Sequence, residues 1–144
     1  GAAREDWESK AADLRITQHV KFVGQVHWDK VPQHISGFDV AYSAPLDASV
    51  GSYLSPLKMY EYMAMRIPLL AAVTSDADHL TNHGESGFLF NPLTDGDLVR
   101  AIKEAYAAMP NLAAIGEASR KQVQESHSWV HRVRDLVTAV EGLL

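Results

Sequence analysis

The apolar run Pro68–Val73 (PLLAAV) constrains the fold of this chain more than any other feature. It contains no polar side chain, so neither of its faces suits water, and a run this short is typical of a strand. Strands that are buried on both faces occur in parallel sheets that helices cover on either side. The run therefore predicts a parallel sheet between two layers of helices.

Strand-like and helix-like segments alternate on both sides of this run. Strands are predicted over residues 20–26, 38–45, 68–73 and 87–92, and helices over 4–15, 28–37, 76–84, 94–109, 111–127 and 128–144. A further helix is predicted from Ser55 up to the apolar run. This alternation is typical of βαβ units, so the chain is predicted to be Rossmann-like α/β, with helices on both faces of a parallel sheet.

The composition narrows the class of protein. The 144 residues suit one domain, and 47% hydrophobic with 22% charged residues predicts a packed core. The net charge of -5 argues against a nucleic acid partner, because phosphate binding usually needs a basic surface. Cysteine is absent, which excludes disulfides and thiol chemistry and suits a reducing, cytoplasmic setting. No apolar run approaches the ~20 residues that a membrane-spanning helix needs.

The start of the helix before the apolar run has the features of an anion site. Ser55 is a suitable N-cap and Pro56 suits the first helical position. The free backbone N–H groups of Leu57 and Lys58 would then point out of the helix start, where the helix dipole also favours negative charge. In α/β sheets such helix starts lie beside the carboxyl ends of the strands, where ligands bind.

Glu61 lies one helical turn after this start. A carboxylate there could accept hydrogen bonds from two sugar hydroxyls, and a ribose attached to the bound phosphate is the natural candidate. It could equally form an ion pair with Lys58, three residues earlier on the same helix face. The spacing alone leaves both interpretations open.

The stretch SPLKMYEYMAMRIPLLAA, residues 55–72, resembles the signature of group 1 retaining glycosyltransferases of the GT-B fold, S-P-L-K-L-x-E-Y-M-A-x-G-x-P-V-V-A. The matching residues are Ser55, Pro56, Leu57, Lys58, Glu61, Tyr62, Met63, Ala64 and Pro68. Four flanking segments resemble further motifs of this family in the same order along the chain: VKFVGQV, FDVAYSAP, NHGESGFLFNP and SWVHRV. The resemblance therefore covers nearly the whole chain.

The resemblance implies a role for each part of the site. Glu61 would bind the ribose of a nucleotide diphosphate-sugar, UDP- or GDP-linked, and the amides of Leu57 and Lys58 would hold its diphosphate. The residues expected near the nucleotide or the donor sugar are Gly24, Gln25, Tyr53 and Leu54. No catalytic residue, metal or further cofactor is assigned to this chain.

The implied activity is transfer of a sugar to an acceptor hydroxyl, with retention, in polysaccharide or glycoconjugate biosynthesis. The enzyme would be cytoplasmic, at the inner face of the membrane if its other parts bind there. The family's G-R-x-x-x-x-K-G segment and its N-terminal acceptor domain have no counterpart in residues 1–144. The resemblance thus implies a nucleotide-sugar-binding domain that lacks its first βαβ portion, has the N-terminal domain as its partner and is inactive alone.

Two positions depart from the family pattern. Tyr53 stands where many members have a glutamate that contacts the donor sugar, and Arg66 stands where a glycine usually ends the helix. Glycine is usual there because it adopts the left-handed conformation at little cost, so Arg66 predicts strain or a different helix exit.

Three other interpretations remain open. The chain could be a non-catalytic Rossmann-like module that binds a nucleotide or another protein, or part of a different GT-B enzyme such as a sugar-nucleotide epimerase. The pairs His79/His83 and His127/His131 have the spacing of metal ligands on a helix. Neither pair belongs to an HExxH motif, so solvated or capping histidines are expected instead.

Overall fold

The structure is a computed structural model that describes residues 3–44, 57–73 and 75–143. The chain forms two compact units, Gly1–His34 and Ile35–Leu144. They are called the N-terminal and the C-terminal unit below.

The N-terminal unit contains one full helix. Helix α1 spans Arg4–Asp13, and 3-10 turns follow at Thr17–His19 and Trp28–Lys30. The second turn leads into helix α2, Val31–Ile35, whose last residue already belongs to the C-terminal unit. Only Ala11 is buried in α1, and most of the unit is exposed.

The strand predicted over residues 20–26 is absent. The backbone at Val20 is extended, with φ -121° and ψ 127°, but residues 20–27 form neither a helix nor a strand in the structure. Gly24 has a φ of +80°, which interrupts an extended course. The prediction was wrong because the alternation of side chains shows only that a segment suits a sheet, and not that a neighbouring strand is present. A strand also requires a neighbour to complete its hydrogen bonds.

The C-terminal unit is built on a parallel sheet, as predicted. Strands β1 (Ala41–Ser43), β2 (Leu69–Ala72) and β3 (Gly87–Phe90) pair in the order β1-β2-β3. Leu69 of β2 lies between Ala41 of β1 and Gly87 of β3. Every residue of β2 is buried, which confirms the interpretation of the apolar run as a strand covered on both faces.

Five helices and a 3-10 turn surround this sheet among the described residues. They are α3 (Leu57–Ala64), α4 (Ser75–Leu80), α5 (Asp97–Ala107), the turn Met109–Asn111, α6 (Leu112–Ser126) and α7 (Trp129–Glu141). The GT-B-like arrangement expected from the sequence is thus present for the part around β1 to β3. No helix of the described residues is long and apolar enough to span a membrane.

The largest apolar cluster lies on one face of the sheet. It joins side chains of β2 and β3 to α5 and to the start of α6: Leu70, Ala72, Phe88, Phe90, Ala101, Ala105, Leu112 and Ile115. Helix α3 contacts β2 and packs along α6, and it buries Met59 and Met63 almost completely. The methionines one turn apart on α3 therefore fix which face of that helix is turned to solvent.

Helix α3 ends in a left-handed turn at Arg66. The Ile67 N–H donates to the Tyr62 carbonyl at 3.0 Å, and the Arg66 N–H donates to the Met63 carbonyl at 3.0 Å. This is the hydrogen-bond pattern of a Schellman motif, and Arg66 takes the glycine position with a φ of +63°. The expected strain at Arg66 is thus present, and the helix exit is the usual one.

Candidate functional site

The exposed face of α3 carries the residues that the sequence assigned to ligand binding. Leu57, Lys58 and Glu61 are exposed, whereas Met59 and Met63 on the other side are buried. The structure therefore brings these three residues together on one solvent-facing helix surface. Ser55, Pro56, Tyr53 and Leu54 lie outside the described residues, so their proposed roles stay predictions.

The connectivity places the start of α3 near the carboxyl ends of the strands. Only Met65 to Pro68 separate the end of α3 from the first residue of β2, so the helix end lies at the amino end of that strand. An eight-residue helix is about 12 Å long, and α3 runs back along the sheet from there. Its first residues thus approach the edge where ligands of α/β sheets bind.

The Glu61 carboxylate has no ion-pair partner in the described part of the chain. The ion pair with Lys58, which the spacing left open, is not formed in the structure. The charge of Glu61 does act on the next residue. The pKa of Tyr62 is raised, first by burial and second by the Glu61 carboxylate. An exposed carboxylate with no ion pair to the described residues can accept hydrogen bonds from a ligand.

Helix α6 holds α3 at its carboxyl end. Arg120 Nη1 donates to the Ala64 carbonyl at 3.1 Å, and Arg66 Nε lies 2.5 Å from Glu117 Oε2. At Gly116 the backbone of α6 meets the Arg66 carbonyl so closely that a β-carbon would overlap it. The position of α3, and hence of Glu61, is therefore set by α6.

A further contact restrains the other half of α3. Arg132 Nη2 of α7 donates to the Tyr60 hydroxyl at 3.2 Å, and the rings of Tyr60 and His127 lie 6.0 Å apart. Sequence reasoning missed these positioning residues, which lie 50 or more positions after α3. The one available signal was Gly116, because a glycine inside a helical pattern often marks close packing.

Gly24 and Gln25 belong to the N-terminal unit. Both are exposed, and they line an open groove of that unit together with α1 and residues 21–23. The side chains that border it include Arg4, Trp7 and Lys21. Their expected place near the nucleotide is a prediction that the structure does not test.

A polar network joins the carboxyl end of β3 to α5. Asp97 accepts hydrogen bonds from Arg100 Nε at 2.5 Å and from the Asn91 N–H at 2.6 Å, and these bonds, that from Arg100 first, lower the pKa of Asp97 to about 2. Arg100 also donates to Glu104 and to the Leu89 carbonyl. These contacts fasten α5 to the sheet.

Two members of the histidine pairs, His83 and His131, have local hydrogen-bond partners. His83 Nδ1 accepts the Leu89 N–H at 3.0 Å, so its other ring nitrogen carries the proton and lies 3.1 Å from Glu104. His131 Nδ1 lies 2.8 Å from the Ser128 hydroxyl. Burial first, then Arg132 and His131, lower the pKa of His127. The described residues contain no group of three or more His, Asp or Glu side chains arranged for a metal ion.

A family comparison identifies the class of protein to which this fold and helix belong. Residues 1–108 match the model of the group 1 glycosyl transferases. Because the match covers well over half of the sequence, the chain belongs to this family. No curated protein matches the chain in a sequence comparison.

Solved structures of GT-B glycosyltransferases share the fold. Sucrose-phosphate synthase from Thermosynechococcus elongatus superposes with a TM-score of 0.79 at 23% identity, over 99% of this chain and 35% of that one. Anabaena HepE in complex with UDP gives a TM-score of 0.80 at 20% identity, over 96% of this chain and 36% of that one. HepE in complex with UDP-glucose gives 0.76 at 19% identity, with the same coverage. The chain thus spans about a third of the length of these proteins.

Proposed function

We propose that this chain binds the nucleotide diphosphate-sugar donor of a retaining, hexosyltransferase-like enzyme through the start of α3. The observation that carries the proposal is the Glu61 carboxylate, which lies one turn into a helix beside the sheet edge, is exposed, and forms no ion pair with residues 3–44, 57–73 or 75–143. It stands at the acidic position of the family signature. A solved relative of this fold has been crystallised with UDP and with UDP-glucose, which supports a UDP-linked donor here.

Each element of α3 has a defined task in this proposal. The first N–H groups of the helix, at Leu57 and Lys58, have no acceptor four residues earlier within the helix, and in this proposal they donate to the diphosphate. Glu61 accepts hydrogen bonds from the two ribose hydroxyls. The amide donors stabilise negative charge as it develops on the leaving diphosphate, and they are fixed in place before the reaction starts. The donor is a substrate, so no separate cofactor is required.

The acceptor and the remaining phosphate contacts come from a longer polypeptide. The chain spans about a third of the solved relatives, and the proposal assigns acceptor binding to a domain outside residues 1–144. The proposed reaction belongs to polysaccharide or glycoconjugate biosynthesis in the cytoplasm, and the chain by itself does not catalyse it. The absence of cysteine is compatible with a reducing compartment.

Calorimetric titration with UDP and with 2′,3′-dideoxy-UDP tests the assignment of Glu61. We expect Glu61→Gln to weaken UDP binding about tenfold, in keeping with the loss of a charged hydrogen-bond acceptor. The same variant should bind 2′,3′-dideoxy-UDP as the unaltered chain does, because that ligand lacks the hydroxyls which Glu61 would bind.

Glu125→Gln is the matched control, because Glu125 is an exposed glutamate on α6. It should leave both affinities unchanged. An equal loss of affinity for UDP and for the dideoxy compound would show that Glu61 does not bind the ribose hydroxyls. An unaltered UDP affinity in Glu61→Gln would show that Glu61 does not contact the nucleotide, and it would favour the alternative of a non-catalytic Rossmann-like module.

A further inference from the structure

Strand β3 forms an outer edge of the sheet in the part of the chain that the structure describes. The strand order is β1-β2-β3, so β3 pairs with β2 on one side only. Its sequence, GFLF, is apolar, and all four residues are buried. A short apolar strand with an open edge is a template on which a strand of another chain can add, unless the fold covers that edge.

The pairing of β3 shows which backbone groups it turns away from β2. The Phe90 carbonyl accepts the Val73 N–H at 2.8 Å, so the backbone groups of Phe90 face β2. Because successive residues of a strand bond to opposite sides, those of Gly87, Leu89 and Asn91 face the outer edge. These are the groups to which a fourth strand would have to bond.

Three side chains bond this outer edge in place of a neighbouring strand. The Leu89 N–H donates to His83 Nδ1 at 3.0 Å. The Leu89 carbonyl accepts from Arg100 Nη2, also at 3.0 Å. Just after the strand, the Asn91 N–H donates to Asp97 Oδ2 at 2.6 Å. Helix α5 therefore supplies two of the three side chains, and the turn before β3 supplies the third.

The turn before β3 also closes the start of the same edge. The Gly87 carbonyl accepts the Gly84 N–H at 2.7 Å, and a single parallel bridge joins His83 to Gly87. From the Gly87 carbonyl to the Asn91 N–H, each outward backbone group thus has a hydrogen-bond partner within the chain.

Glu104 connects two of the side chains at the edge. Its Oε2 lies 3.1 Å from His83 Nε2 and accepts from Arg100 Nη1 at 2.7 Å. A ring nitrogen of histidine accepts a hydrogen bond only while it carries no proton, so the proton of His83 is on Nε2 and faces Glu104. Arg100 also bonds Asp97, so the side chains at this edge form one connected network.

We propose that His83, Asp97 and Arg100 form an edge cap, which closes the outer edge of β3 against the addition of a strand from another chain. An added strand would need the N–H and the carbonyl of Leu89, and both are already bonded. It would also have to displace charged side chains, which proteins use at sheet edges to prevent edge-to-edge association. Glu104 is a positioning residue of the edge cap, because it contacts His83 and Arg100 rather than β3.

Hydrogen exchange of the backbone amides in the whole chain tests the hydrogen bonds of the edge cap. The amides of Leu89 and Asn91 should be protected like that of Phe90, because all three are bonded. His83→Leu keeps a side chain at the edge but offers no acceptor. Exchange at Leu89 should therefore become roughly tenfold faster relative to Phe90 in the same variant.

Two further variants separate the acceptor of His83 from its bulk. In His83→Asn the side-chain oxygen can take the place of Nδ1, so most of the protection at Leu89 should return. His79→Leu is the matched control, because His79 is an exposed histidine on α4, and it should leave exchange at Leu89 unchanged. An unprotected Leu89 amide in the unaltered chain would overturn the proposal. So would a His83→Leu variant in which the rates at Leu89 and Phe90 keep their original ratio.

Association of an opened edge tests what the edge cap prevents. The double variant His83→Leu/Asp97→Ala removes the acceptors of both outward N–H groups. It should form β-rich assemblies, measured by thioflavin T fluorescence, roughly tenfold faster than the unaltered chain. Met63→Ala is the control for lost stability, since it removes buried atoms elsewhere and leaves the edge cap intact. Assembly of Met63→Ala as fast as that of the double variant would refute the proposal, as would a double variant that assembles no faster than the unaltered chain.

Discussion

Helices α3 and α7 are both amphipathic, but the fold covers the apolar face of only one of them. Helix α3 lies against β2 and α6 and buries Met59 and Met63, whereas α7 buries none of its residues. The sequence pattern of a helix shows which face would avoid water. Whether that face is covered depends on the surfaces around it, which are sheet and α6 for α3 and solvent for α7.

The two helices also differ in how they are held. The end of α3 is fixed by Arg120, by the Arg66–Glu117 pair and by the close approach of Gly116. Helix α7 is tied to the unit mainly at its start, by Arg132 and by the contacts around His127. We therefore expect substitutions in and around α3 to change the free energy of unfolding much more than substitutions on the exposed face of α7.

The largest effect is expected at the buried face of α3. Met63 is fully buried, so Met63→Ala removes buried apolar atoms and leaves a cavity, which should lower the free energy of unfolding by about 2–5 kcal/mol. Urea denaturation at low protein concentration measures this value. Leu136→Ala on α7 is the comparison and should change it by less than about 0.5 kcal/mol. Similar losses for the two variants would show that α7 is packed as tightly as α3.

The second effect concerns the close approach of α6 to the end of α3. A β-carbon at Gly116 overlaps the Arg66 carbonyl, so Gly116→Ala should destabilise the fold by about 1–3 kcal/mol through forced displacement of the helix. Gly142→Ala after α7 is the control, since its β-carbon finds only ordinary contacts from 3.4 Å outward. A Gly116→Ala variant as stable as the unaltered chain would mean that α6 does not restrain α3.

The third effect is a pH dependence at the junction of α6 and α7. The pKa of His127 lies below its ordinary value of 6.5, mainly because of burial. The unfolded chain therefore binds more protons than the folded one as the pH falls below about 6.5. The contribution of His127 to stability is present above that pH and is lost as the pH falls towards its lowered pKa.

Thermal unfolding of His127→Phe at a series of pH values measures this contribution. The variant keeps an aromatic ring beside Tyr60 but cannot bind a proton. Its melting temperature should fall less than that of the unaltered chain between neutral pH and pH 5. Identical slopes for the two proteins would contradict the lowered pKa of His127.

The smallest effect is expected at the end of α3. The left-handed conformation at Arg66 costs a residue with a side chain about 1 kcal/mol or more, and Arg66→Gly relieves that cost. The substitution also removes the exposed ion pair with Glu117, which contributes little. We expect a net stabilisation of about 0.5 kcal/mol in urea denaturation. The gain should be larger when measured in a Glu117→Gln background, where the ion pair is already lost. A destabilised Arg66→Gly variant would show that the ion pair outweighs the backbone strain.

Local patterns predicted most of the C-terminal unit. The apolar run at β2 determined the parallel sheet, and the helices after it follow the predicted segments closely, because caps, glycines and apolar spacing all act within a few residues. The strand predicted over residues 20–26 failed because its formation depends on a pairing neighbour, which a local pattern does not reveal. Family resemblance, rather than spacing, is what favours a ligand role for Glu61 over an ion pair with Lys58, and that role stays a proposal.

The support of α3 could not be predicted from the same local patterns. Arg120, Glu117 and Arg132 act on α3 from helices far along the chain, and no spacing rule connects them to residues 57–66. Arg66 could be predicted as an anomaly, because a left-handed helix end usually has a glycine. The ion pair between Arg66 and Glu117 could not be predicted, because it depends on how α6 packs against α3.

Nuclear magnetic resonance of the ¹⁵N-labelled chain during titration with UDP tests most directly whether α3 is the donor-binding helix. We predict shifts of the Leu57, Lys58 and Glu61 amides that saturate together, while the amides of Val133 to Val140 in α7 keep their positions. The Glu61→Gln variant should require more UDP for the same shifts. Shifts confined to other parts of the chain, or no shift at α3 at saturating UDP, would contradict the assignment of this helix to the donor.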